Sequence, residues 1–161
     1  MIRRPQRVQE GFTVIELLVV AVILCILGAI VVFGYSGVQA KNRNQNRRLG
    51  IDAIKTQLES YYFTNNTYPT QEQLSDPAWR AKNLPHVSQS AITDPRWSAR
   101  AAACSHSNYA IMAAQPAPNC YSYQVTDSAG SPCDNTHATC AHYTLTATLE
   151  GGGKYVRSSL N

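Results

Sequence analysis

Gly11-Phe12-Thr13-Val14-Ile15-Glu16 runs directly into Leu17-Leu18-Val19-Val20, and the apolar run continues to Phe33. From Phe12 to Phe33 the sole charged residue is Glu16, and Thr13 is the other clearly polar one. A carboxylate in such a run is costly. An acid at the centre of a membrane helix costs about 2.5–3.5 kcal/mol on insertion scales, and less near an interface. A charge kept against that cost marks a functional position and needs a partner. The 17 residues Leu17–Phe33 sit at the lower limit for a spanning helix, and Phe12–Ile15 lengthen it.

The glycine, the Phe-Thr-x-x-Glu that follows it, the unbroken apolar run and the basic leader before them resemble the class III signal of type IV pilins and pseudopilins. That resemblance implies cleavage by a prepilin peptidase between Gly11 and Phe12, N-methylation of Phe12, and an assembly role for Glu16. The chemistry is consistent with this. Cleavage creates an α-ammonium on Phe12, methylation of an amine keeps its positive charge, and one helical turn separates that charge from Glu16. The ammonium and the carboxylate can pair within a chain or between neighbours, and pairing between neighbours sets axial register.

Two plainer readings compete. One is an ordinary membrane anchor. The other is a secretory signal cut after Val38-Gln39-Ala40, a small-x-Ala site behind an apolar stretch. For the second, the apolar region is longer than usual and Glu16 has no purpose.

Arg3, Arg4 and Arg7 precede the run and favour an N-in, C-out orientation, but Lys41, Arg43, Arg47 and Arg48 follow it closely and argue the other way. The cysteines decide better. Cys25 lies in the apolar run and reads as a small hydrophobe. Cys104, Cys120, Cys133 and Cys140 fall beyond it, an even number in a small domain, which reads as two disulfides in an exported, oxidising location. Three pairings are possible. Cys104–Cys120 and Cys133–Cys140 are favoured because short sequential loops close most readily. Zinc is the alternative, since His106, His137 and His142 lie near these cysteines, but Cys133-x3-His137-x2-Cys140 is not a standard structural-zinc spacing.

Ile51, Ile54, Leu58 and Tyr61 or Tyr62 recur at spacings of three and four, the mark of an amphipathic helix. One helix is therefore expected from about Phe12 to Thr64, its first half in membrane or filament core and its second half packed under a sheet. Many pilins carry a proline in the first half of this helix. This chain has none there, so any bending falls to Gly28 and Gly34. Residues 65 to about 103, with Pro69, Pro77, Pro85 and Pro95, read as a long structured loop with a short helix near Glu72–Leu74. Asn66-Thr67-Tyr68-Pro69 resembles a turn of pilins in which the aromatic covers the edge of the core. Asn65-Asn66-Thr67 is formally a glycosylation sequon. Asp94-Pro95-Arg96-Trp97 resembles a loop motif of calcium-binding major pseudopilins, yet one carboxylate is too few for a site that wants six to eight oxygens.

Strand signals come last. Asn108–Ala113 and Tyr121–Thr126 are rich in β-formers, and Tyr143, Leu145, Ala147 and Leu149 alternate with Thr144, Thr146 and Thr148. Glu150-Gly151-Gly152-Gly153 then turns the chain into Lys154–Ser158. The predicted fold is α+β and type IV pilin-like: a long N-terminal α-helix on a small antiparallel β-sheet with one wet face. Its expected divisions are a leader at 1–11, an assembly half-helix at 12–35, an amphipathic half-helix at 36–64, and a head with two disulfides at 65–161.

No catalytic residue, cofactor or metal ligand is assigned. The serines lack elbow glycines, the histidines form no triad pattern, and no glycine-rich loop opens a helix. From Asn66 to Asn161 six basic residues balance six acidic ones, so the head has no electrostatic footprint for nucleic acid. Lys41–Arg48 reads either as a contact with anionic lipid headgroups before assembly or as a solvated helix face.

The resemblance puts first a structural subunit of a type IV pilus, in a homo-oligomeric helical filament serving adhesion, motility or DNA uptake. The alternative is a pseudopilin of a type II-like secretion system. Its implied partners are prepilin peptidase, other pilin subunits and an assembly platform. Its implied location is the inner membrane as a single-pass prepilin, then the cell surface. The four later cysteines favour the pilus, because major pseudopilins usually lack them.

Overall fold

A computed structural model describes residues 11–97 and 112–161, with the backbone alone for 31–36. The chain divides into two compact units, Met1–Gln39 and Ala40–Asn161. Helix α1 runs from Val14 to Asn65, 52 residues, with no proline to interrupt it. From Leu17 to Ile30 it is apolar on every side: Leu17, Leu18, Val22, Ile23, Leu24, Ile26, Leu27 and Ile30 are all exposed. A helix that is hydrophobic all round has no water-facing side and must be covered by lipid or by other chains. Among the described residues no helix is long and apolar enough to cross a membrane.

In the second unit α1 is amphipathic. Ile51, Ile54 and Leu58 are fully buried, as their spacing requires. They pack on a four-stranded sheet of β1 (Met112–Ala113), β2 (Tyr121–Thr126), β3 (His142–Thr148) and β4 (Lys154–Ser158), in the order β1-β2-β3-β4. The pairs β2–β3 and β3–β4 are antiparallel, as expected. The pair β1–β2 is parallel, so the sheet is mixed. Of the strand expected at 108–113, Met112–Ala113 is present, and 108–111 lies outside the described residues.

The register explains the core. Tyr121 opposes Ala147, Tyr123 opposes Leu145, and Val125 opposes Tyr143. With period two these share one face, and five of the six are buried against α1. The opposite face is not uniformly wet, because Ser122 and Thr146 are buried too.

The stretch expected as one loop with a short helix holds three: α2 (Gln71–Ser75), α3 (Pro77–Asn83) and α4 (Gln89–Ile92). Each has a start signal. Thr70 and Gln73 form a reciprocal capping box, Asp76 caps α3 with Pro77 in its first turn, and the Ser88 hydroxyl accepts from the Ala91 N–H. Short capped turns lack the length to show a hydrophobic period, so proline spacing alone hides them. Tyr68 lies within the core, fully buried, rather than at its edge. It stacks on Tyr62 at 4.5 Å and meets Tyr143 edge-on at 4.7 Å.

Candidate functional site

Gly11 and Phe12 precede α1 as exposed extended chain, with Phe12 81% exposed. Thr13 is the residue before the helix, and Glu16 lies in the first turn. The Thr13 N–H donates to Glu16 Oε2 at 2.9 Å, the Thr13 hydroxyl donates to the same oxygen at 2.7 Å, and the Glu16 N–H donates to Thr13 Oγ1 at 3.3 Å. This is a reciprocal capping box that satisfies helix-end donors otherwise left bare. Its signal, Thr13-x-x-Glu16 before an apolar run, is present in the sequence beside the cleavage motif that shares the same glutamate. Glu16 Oε1 has no partner among the described residues and stays available.

The second feature is a set of charges that ties α1 to the head. Arg47 is fully buried. Its Nε and Nη2 donate to Asp94 Oδ2 and Oδ1 at 2.7 and 3.0 Å, and its Nη1 reaches Asn44 Oδ1 and Glu150 Oε1 at 2.8 and 2.9 Å. Arg43 grips both oxygens of Glu150 at 2.6 Å, and the exposed Arg96 lies 3.5 Å from Glu150 Oε2. Burial alone would lower the basicity of Arg47, but Asp94 and Glu150 outweigh it and raise it. The Arg43 guanidinium is the main cause that lowers the Glu150 carboxyl to about 2.

The backbone sets this geometry. Gly151, Gly152 and Gly153 all have φ between +86° and +102°, which L side chains rarely adopt. The turn they form carries Glu150 to α1, where Asn44 Oδ1 accepts from the Glu150 N–H and Asn44 Nδ2 donates to the Glu150 carbonyl, both at 2.9 Å. Gly50 lets α1 approach α4: a Cβ there would lie 2.5 Å from the Ala91 carbonyl oxygen.

These contacts bear on two sequence motifs. Asp94, in the loop motif resembling a calcium site, is committed to Arg47. The described residues contain no group of three or more His, Cys, Asp or Glu able to hold a metal. The run Lys41–Arg48 is not one free basic face. Arg43 and Arg47 are internal anchors, Lys41 is exposed, and Arg48 lies over the Tyr155 ring at 5.4 Å.

Cys133 and Cys140 form a disulfide, so neither sulfur is a free thiolate. Cys120 is also disulfide-bonded, and Cys104 lies outside the described residues, as does His106. Cys25 is free and exposed. His137 Nδ1 lies 2.7 Å from Asp134 Oδ2, and His142 Nδ1 lies 3.0 Å from the Asn161 main-chain oxygen. Asn65 of the sequon is exposed, its side-chain amide donating to the Tyr61 carbonyl at 2.9 Å.

An apolar helix opened by a Phe-Thr-x-x-Glu cap in the first unit, and an amphipathic helix packed on a small sheet in the second, are consistent with an α+β, pilin-like fold. Residues 6–32 match the family described as prokaryotic N-terminal methylation motif, which fits a membrane-anchored precursor. Part of the chain is similar to type II secretion system core protein G of several bacteria. It is 41% identical over 68 residues to that protein from Dickeya chrysanthemi, covering 42% of this chain and 44% of the relative. With the Aeromonas hydrophila protein it shares 43% over 68 residues, 42% of this chain and 48% of the relative. With the Vibrio cholerae protein it shares 39% over 70 residues, 44% of this chain and 48% of the relative. The chain thus spans about half the length of the curated relatives it matches. No solved structure matches it significantly.

Proposed function

We propose that this chain is a pseudopilin-type subunit of a type II-like protein-secretion machine. A prepilin peptidase cuts between Gly11 and Phe12, and Phe12 is then N-methylated. Before assembly the chain is a single-pass membrane protein, N-in and C-out, and an assembly platform then draws it into a homo-oligomeric helical filament. The observation that carries this reading is the uncovered apolar surface of α1 from Leu17 to Ile30, headed by one carboxylate whose second oxygen has no partner among the described residues. Such a surface stays out of water by passing from lipid to helix–helix packing. In the filament, Glu16 Oε1 meets the Phe12 ammonium of a neighbouring copy and sets the axial register.

The relatives, all named as secretion-system proteins, favour the secretion machine over the pilus that the cysteines put first. A type IV pilus subunit is the second reading, and the Cys133–Cys140 disulfide is what favours it. Two measurements decide. Mass spectrometry of the mature chain should find methylated Phe12 at its start; Lys41 would indicate a secretory signal, and an uncut chain a plain anchor. A deletion strain should lose protein secretion while keeping surface pili, and the reverse pattern would establish the pilus.

A further inference from the structure

Two grooves of the second unit share no lining residue and carry opposite charge. One runs between the last turns of α1 and the segment after α3, with Ser60 and Thr64 on one wall and Lys82, Asn83 and His86 on the other. No carboxylate lines it. Lys82 and His86 are exposed, and their side chains have neither a hydrogen bond nor an ion pair within the described chain. The other groove lies beside the start of α2 and the outer end of β2, and its charged lining residues are Glu72 and Asp134. Glu72 is exposed and its carboxylate has no partner among the described residues. Asp134 is half-exposed, with Oδ1 accepting from the N–H groups of Thr136 and His137, and Oδ2 lying 2.7 Å from His137 Nδ1.

Neither Lys82 nor Glu72 joins the internal ion pairs that hold Arg43, Arg47, Arg157, Asp52, Asp94 and Glu150. The two grooves thus differ in sign, with Lys82 in one and Glu72 beside the His137-paired Asp134 in the other. Complementary patches that share no residue make a heterologous contact, and its repetition gives an open helical polymer rather than a closed dimer. Because both grooves are polar and wet, their contact supplies orientation and encounter rate more than affinity. The apolar helix supplies the affinity.

We propose that the Lys82–His86 groove of one copy receives the Glu72–Asp134 rim of the next, so that the heads are keyed to one another along the polymer. This rests on the polymer reading above, and the occupant is a second copy of this chain.

The test uses the full chain assembled from a mixture of isotopically light and heavy copies, treated with a zero-length carbodiimide that joins amines to carboxylates. Peptides linking Lys82 to Glu72 or Asp134 are expected in mixed light–heavy pairs. Lys82→Glu should lower polymer yield several-fold, and adding Glu72→Lys should restore it. Lys82 linked only within single copies or to another protein would overturn the proposal, as would normal assembly of Lys82→Glu. If Glu16→Ala abolishes the polymer while the Lys82–Glu72 exchange has no effect, the polymer reading stands and the groove contact is wrong. If the unaltered chain forms no polymer, both fall.

Discussion

Arg47 has no solvent exposure yet keeps its charge, because four oxygen acceptors surround its guanidinium. Removing one partner of a buried pair costs about 3–5 kcal/mol, since the other charge is left desolvated. Arg47→Ala strands Asp94, which is itself 3% exposed, so we expect a loss of about that size. Chemical denaturation of the detergent-solubilised chain, followed by tyrosine fluorescence, measures it; a loss below about 1 kcal/mol would show that water replaces the guanidinium, since mutational data put unpaired buried polar groups at about 1–3 kcal/mol. Glu150 gives the same network a pH dependence. Its folded carboxyl is lowered from 4.5 to about 2, chiefly by Arg43. A group whose pKa falls on folding contributes stability above its unfolded value, and that stability is lost as pH drops through the folded one. The head should therefore lose stability between about pH 4.5 and pH 2, and Glu150→Gln should flatten the profile there. An unchanged profile would place the acid-sensitive group elsewhere. The sequence shows Arg43 and Arg47 at i and i+4 on one helix face, but not that their partners lie about 50 and 100 positions away.

Among the elements, the loop Cys133–Cys140 does more than close a disulfide. Asn135 sits at φ 61°, a left-handed position that Asn tolerates better than most residues. Its Nδ2 donates to the Tyr68 carbonyl at 2.7 Å, and its Oδ1 accepts from the Cys140 N–H and the Thr67 hydroxyl at 2.8 and 2.6 Å. The loop is thereby locked to the chain leaving α1, where the Tyr68 N–H also donates to the Cys140 carbonyl. Asn135→Ala loses both the backbone fit and three hydrogen bonds, and a net of about 1 kcal/mol per bond makes it costly. Asn135→Gly keeps the backbone fit and loses only the bonds. We expect Ala to be the worse of the two in thermal unfolding, and the opposite order would deny the backbone strain. This loop was legible only as a pair of cysteines. The long helix and the β3–β4 hairpin were legible because period and turn chemistry are local. Helix α2 was expected near Glu72–Leu74, whereas α3 and α4 carried local signals in Asp76-Pro77 and Ser88 that four prolines masked.

At the scale of the whole molecule, one carboxylate has two possible tasks. In the single chain Glu16 completes the cap of α1, and in the proposed filament it answers the ammonium of a neighbour. The sequence made the second task visible, since a lone acid in an apolar run demands a partner. The first needed the hydrogen-bond geometry. Substitution separates them, because a glutamine at this position can serve a capping box as a glutamate does. Glu16→Gln keeps an oxygen for the Thr13 N–H and removes the charge, whereas Glu16→Ala removes both. If the cap is what matters, Gln assembles normally and Ala fails. If the charge sets the register, both fail alike, even though mature chains with methylated Phe12 accumulate in the membrane. We expect the second outcome. A cap is worth about 1 kcal/mol and α1 is long enough to tolerate fraying at its first turn. An ion pair between copies, shielded from water by the surrounding apolar helices, leaves a buried unmatched ammonium when its carboxylate is removed. Filament yield of the two variants, scored beside their processed fraction, distinguishes the tasks, and full assembly of Glu16→Gln would return Glu16 to the role of a helix cap.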